Sequence, residues 1–179
     1  MADAASDDPT AGTEAPRGGV IVGVVPDQPA RVVKEAARYA ALLSAPLLVA
    51  HVDVTRFVTS EDPDGYVHTA PIDIAITAGS EDLKDVEDAV RTALAGVQVE
   101  WTVRQLVGDP AMAIKQLAEK TNARLIVVGT RKRGLGESIR EFFTGSVAAR
   151  LAHRQKRPIL VVPIDEPVAD DEDIWPAAL

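Results

Sequence analysis

The chain predicts an α/β fold: a doubly wound, parallel, five-stranded sheet with helices on both faces. Three observations carry this expectation. Apolar runs at 47–50 and 125–128 suit strands covered on both faces. Between such runs lie stripes at helical spacing, for instance Val33, Ala36, Ala37, Ala40 and Leu43. Strand and helix patterns alternate along the chain, which implies parallel pairing through right-handed crossovers. Composition agrees. Hydrophobic residues make up 46% of the 179 positions but aromatics only 4%, so Val, Ile, Leu and Ala must build the core.

The elements follow in order. Residues 19–25 form the first strand, which Pro26 stops. Asp27 is placed to cap a helix with Pro29 in its first turn, and Pro46 ends that crossover. A second strand covers 47–52. Pro63-Asp64-Gly65 signals a turn, and Ile72, Ile74 and Ile76 alternate as in a short extended segment. A helix is expected over about 80–94, capped by Ser80. Val97, Val99, Trp101 and Val103 alternate with polar residues, as in a half-exposed strand near a sheet edge. Gly108-Asp109-Pro110 supplies a cap and a proline at the first helical position. The helix behind it packs Ile114, Leu117 and Ala118 and leads to the strand at 125–128. A last helix opens at Gly145-Ser146, and residues 158–163 close the sheet between two prolines.

Charge is concentrated at the ends. Residues 1–17 carry −3 and residues 165–179 carry −6 of the total −8, which leaves +1 for the middle. The domain is therefore expected over 18–164, between a disordered acidic amino-terminal tail and an acidic carboxyl-terminal tail. Trp175 is a candidate anchor if the second tail docks on a partner. Acidic tails on a near-neutral body argue against nucleic-acid binding. No apolar run approaches a membrane span, and the start of the chain has no targeting signal, so a cytoplasmic protein is expected. The absence of cysteine excludes disulfides and thiolate chemistry.

The most informative stretch joins the strand at 125–128 to the last helix. It reads Gly129-Thr130-Arg131-Lys132-Arg133-Gly134-Leu135-Gly136 and, further on, Gly145-Ser146-Val147. Glycines admit close approach of backbone amides to an anion. A helix start adds unpaired amides and partial positive charge. Together these describe a phosphate site; the alternative is an ordinary strand-to-helix loop with a solvated basic face. On a doubly wound sheet the ligand lies at the carboxyl ends of the strands, where the winding reverses.

These blocks resemble the universal stress protein family. The resemblance runs from about Gly18 to Pro163 and rests on Gly108-Asp109-Pro110, residues 123–131, Gly145-Ser146-Val147-Ala148 and residues 157–163. It implies strand order 3-2-1-4-5 in an adenine-nucleotide alpha hydrolase-like fold, and stress signalling linked to a nucleotide without a dedicated catalytic centre. The family's G-x2-G-x9-G-[S/T] signature would place its first glycine on Gly129 and its last pair on Gly145-Ser146. Its middle glycine falls on Lys132; Gly134 and Gly136 lie in a loop three residues longer than the signature. The implied ligand is ATP or AMP, with magnesium accompanying ATP. Gly129, Thr130, Gly134, Gly145, Ser146 and Val147 would approach the phosphates, and Arg131 and Lys132 would neutralise them. Val24 and Val52, ending the first two strands, would line the nucleoside side. ATP-binding members usually end strand one on an aspartate, and here Val25 stands in its place. The resemblance also implies a homodimer through Ile159, Leu160, Val161 and Val162. The alternative is a nucleotide-free dimeric interaction module. A nucleotidyl transferase is disfavoured because its histidine-containing and serine-rich motifs are missing.

Other chemistry finds little support in the residues. His51, His68 and His153 do not pair at metal-ligand spacing, and His51 reads as a packed or hydrogen-bonded residue. Ser138 and Glu141 read as a capping box. The chain is therefore expected to be a binding protein, with at most slow incidental ATP hydrolysis.

Overall fold

In a computed structural model the described residues are 15–54, 56–61, 67–71, 78–130 and 146–164. The strands are β1 (Val20–Val24), β2 (Leu47–Asp53), β3 (Arg56–Glu61), β4 (Val67–Pro71), β5 (Trp101–Val107), β6 (Leu125–Gly129) and β7 (Ile159–Val162). The helices are α1 (Ala30–Leu42), α2 (Ala78–Ala93), α3 (Pro110–Lys120) and α4 (Val147–Arg154). Five strands form one parallel sheet in the order β5-β2-β1-β6-β7. Counted among themselves these are strands 3-2-1-4-5, as expected.

Alternation along the strands divides the core in two. Val20, Val22, Val24, Leu47, Val49 and Val127 face α1 and α2. Ile21, Leu48, Ala50, Ile126 and Val128 face α3 and α4. Every one of these side chains is buried. A fully buried Val, Leu or Ile contributes about 1.5–3 kcal/mol, so short strands of small aliphatic residues suffice for the interior.

Several local expectations need correction. Asp27 does not cap α1. It is exposed and has φ +60°, and the cap position falls on Pro29, with no side-chain hydrogen bond. Pro26 explains this. It sits second in a turn closed by the Gln28 N–H donating to the Val25 carbonyl at 3.3 Å. Proline second and a left-handed residue third is the pattern of a type II turn, which draws Asp27 away from the helix. Ser80 does not cap α2 either, because the helix already begins at Ala78. The third strand of the sheet starts at Trp101, and just before it the Glu100 carbonyl accepts the Leu47 N–H at 2.8 Å.

The region 53–80 holds a hairpin that the sequence did not reveal. β3 and β4 pair antiparallel as a separate two-stranded sheet, and the Pro63-Asp64-Gly65 signal lies between them. The positions of that turn, Ile72–Ile76, Ser138, Glu141 and Trp175 are outside the described residues. By contrast, Asp109 caps α3 as expected, accepting the Met112 N–H at 3.0 Å with Pro110 at the first position. No described helix is long and apolar enough to cross a membrane.

Candidate functional site

The sheet reverses its winding between β1 and β6. The chain leaves β1 into α1 on one face and leaves β6 toward α4 on the other. Gly23 is level with Val128, so Val24, Val25, Gly129 and Thr130 all gather at this crest. Val24 is buried, whereas Val25, one residue past the strand, is 61% exposed. Val52 is partly buried against the α3/α4 layer, at the end of the neighbouring strand.

The crest itself is tightly bonded. Thr130 donates its N–H to the Val162 carbonyl at 2.9 Å, and its hydroxyl accepts the Ile164 N–H at 3.0 Å. Its backbone amide is thus committed to the sheet, and one hydroxyl proton remains to give. Gly129 is hemmed in by packing. A Cβ there would lie 2.7 Å from Gln28 Nε2 and 3.2 Å from methyls of Val32 and Ile164. Gln28 in turn accepts the Val25 N–H on Oε1 at 3.0 Å. Its carboxamide therefore ties the β1 turn to the end of β6. Sequence reading missed Gln28; its only signal was a polar residue between Asp27 and Pro29.

Ser146 caps α4. Its hydroxyl accepts the Ala149 N–H at 3.5 Å, and its carbonyl takes the first intrahelical bond, from Arg150, at 3.0 Å. The amides of Val147 and Ala148 precede that bond and point toward the helix's electropositive end. The Val147 side chain packs into the α3/α4 layer, so only its backbone serves the site. The sequence places Arg150, Arg154, Lys156 and Arg157 together near the end of this helix. Arg150 instead stands early in α4 and holds Asp109 in a two-pronged pair, with nitrogen–oxygen distances of 2.6 and 2.7 Å. The pair fixes the start of α4 against the start of α3. It also holds the Asp109 carboxyl below its ordinary value, chiefly through the Arg150 hydrogen bonds, with burial opposing. Arg131, Lys132, Gly134 and Gly145 lie outside the described residues.

His51 is buried on the α1/α2 face, with Nδ1 3.4 Å from the Val24 carbonyl oxygen. A cavity of about 190 Å³ opens on the same side of β1, lined by Val24, Asp27, Gln28, Val33, Asp85 and Val90 among others. Small-molecule sites usually occupy about 300–1,000 Å³. This one is too small for a nucleotide and faces away from α4. Among the described residues no three histidine, aspartate or glutamate side chains gather to hold a metal.

A sequence profile of the universal stress protein family matches residues 19–163. The chain belongs to the universal stress protein family. Universal stress protein Sll1388 of Synechocystis sp. is 37% identical over 67 residues, which span 37% of this chain and 40% of that relative's own length. A universal stress protein crystallised in complex with cAMP shares 26% identity, with a TM-score of 0.57 over 84% of this chain and 100% of the other. One from Archaeoglobus fulgidus, solved in complex with dAMP, has 23% identity and a TM-score of 0.50, covering 80% of this chain and 96% of its own. The fold of this universal stress protein is thus that of nucleotide-binding relatives.

Proposed function

We propose that the chain binds an adenine nucleotide at the carboxyl ends of β1 and β6 and serves a stress-associated role in the cytoplasm. The observation that carries this reading is the crest where the winding reverses, with α4 opening beyond it on a Ser146 cap. The relative at 26% identity in complex with cAMP supports the same ligand class. Gly129, Gly145, Ser146 and the amide of Val147 would meet the phosphates, and Arg131 and Lys132 would balance their charge. Val52 would pack beside the base. ATP and AMP are the ligands proposed, with magnesium held by the phosphate oxygens of ATP. The role is binding, with at most slow incidental hydrolysis.

Titration calorimetry with ATP, AMP and cAMP tests this. Binding in the micromolar range is expected, and Gly145→Val should abolish it by blocking close backbone approach. Heat from none of the three at millimolar concentration would refute the reading.

Two observations favour the second reading, a nucleotide-free dimeric interaction module. Val25 exposes an apolar side chain at the crest, and the Thr130 amide is already bonded. In both readings we propose a homodimer through Ile159, Leu160, Val161 and Val162. β7 pairs only with β6 among the described strands, and a free edge invites a second strand.

A further inference from the structure

Two backbone donors at the crest are already engaged. The Val25 N–H is taken by Gln28 Oε1 at 3.0 Å, and the Thr130 N–H by the Val162 carbonyl at 2.9 Å. The first bond settles how the Gln28 carboxamide is turned. An N–H can only donate to its oxygen, so the oxygen faces Val25 and the nitrogen is the arm that points onward. That arm lies against Gly129, 2.7 Å from where a Cβ would stand, and a side chain at 129 would push it away. Gln28 is thus held from both strand ends, by a hydrogen bond at β1 and by packing at β6. It is partly buried, and nothing among the described residues accepts a hydrogen bond from Nε2. Beside Gly129, the Thr130 hydroxyl accepts the Ile164 N–H at 3.0 Å and keeps its own proton to give.

Both open groups are donors. A carboxylate ending strand one would present only acceptors and would recognise hydroxyls or an amino group on a ligand. The Val25 side chain presents neither kind. Gln28 restores a polar contact at this level, of the opposite sense. It stands between β1, which ends beside the nucleoside in the nucleotide reading, and β6, which ends beside the phosphates. That place falls at the junction of ribose and phosphate. We propose that Gln28 is a specificity-determining residue of the nucleotide site, whose Nε2 donates, together with the Thr130 hydroxyl, to a phosphate oxygen at that junction. The inference rests on the nucleotide reading and deepens it, because a crest of donors selects for the phosphate rather than for the sugar hydroxyls. A hydrogen bond to a charged oxygen is worth about tenfold or more in affinity. A nucleoside without phosphate gains nothing from it.

Titration calorimetry with AMP and adenosine, on the parent and on Gln28→Met, tests this. Methionine keeps the length and neutrality of the side chain and removes both polar arms. AMP affinity should fall about tenfold or more, and adenosine affinity by less than about threefold. Loss of the Val25 bond alone would weaken both ligands alike, and that result would overturn the proposal, as would unchanged or tighter AMP binding. Gln28→Glu keeps the acceptor for Val25 and puts a negative charge where the donor stood. It should bind AMP more weakly than Gln28→Met does, and AMP binding equal to the parent's would overturn the proposal. The parent gives a second readout that needs no variant. In amide proton–nitrogen spectra the Gln28 side-chain pair should shift on saturation with AMP and stay in place with adenosine. A pair that stays unmoved while backbone signals report AMP binding would overturn this inference and leave the nucleotide reading standing. Absence of AMP, ATP and cAMP binding to the parent would instead refute that reading, and this inference with it.

Discussion

Asp109 joins two helices through one carboxylate. It caps α3 through Met112 and grips Arg150 at the start of α4. Because its pKa is lowered in the folded chain, the stability it contributes is present above the ordinary value of 3.8 and lost as pH falls below it. The melting difference between the parent and Arg150→Met should therefore be largest near neutral pH and shrink below that value. A difference independent of pH would show that the pair does not act as described. The capping half of this arrangement was legible, because a cap, its proline and its acceptor lie within a few residues. Arg150 was not, since its partner stands in a different helix and no spacing rule connects the two. Glycine at 129 has a similar lesson. The sequence suggested phosphate approach, while the structure adds a packing reason in Gln28, Val32 and Ile164. Gly129→Ala should cost about 1–3 kcal/mol, partly recovered by Gln28→Ala, because that neighbour is the end of a flexible side chain. Gly19→Ala should cost more. Its Cβ would lie 2.8 Å from the Pro46 backbone carbonyl, which has no rotamer to change. Urea unfolding ranks the three variants.

Elements with strong periodicity were legible: all five strands of the sheet and all four described helices lie within a few residues of where the pattern put them. What escaped was decided by backbone geometry or by pairing at a distance. Asp27 has the chemistry of a cap, but Pro26 committed it to a turn first. The β3–β4 hairpin has no clear alternation, and a bulge between Val58 and Ser60 breaks its register. The site was legible only in outline. The reversal point and the Ser146 helix start were placed by pattern, while Gln28 and the bonding of Thr130 depended on contacts across the sheet. The closing strand β7 supports an expectation of its own. Val162 is buried and Leu160 packs on the core, but Val161 is 43% exposed. Val161→Lys should thus disturb edge pairing with little loss of fold. A parent dimer and a folded monomeric variant are expected in sedimentation. An unchanged dimer would move the interface elsewhere.

For the molecule as a whole, the proposed nucleotide binding would be linked to folding, because a ligand that binds only the folded chain stabilises it. A nucleotide at a hundredfold excess over its dissociation constant adds about 2.7 kcal/mol, or about 5–10 °C in melting temperature for a domain of this size. Val25→Asp should enlarge that shift, because a carboxylate to hydroxyl bond is worth about tenfold or more in affinity. If the variant gains nothing while the parent binds, Val25 is not what limits affinity.

The placement of β1 in the middle of the sheet has a further consequence, which concerns synthesis. Val20 pairs with Leu47 on one side and with Leu125 on the other. The first edge can close soon after β2 is made. The second must wait until β6 has been translated, a delay on the order of ten seconds at roughly 5–20 residues per second. During that interval the strand that ends up most enclosed is an open apolar edge on the nascent chain. Its exposure to wrong partners belongs to the ribosome-bound state, and it ends when β6 arrives.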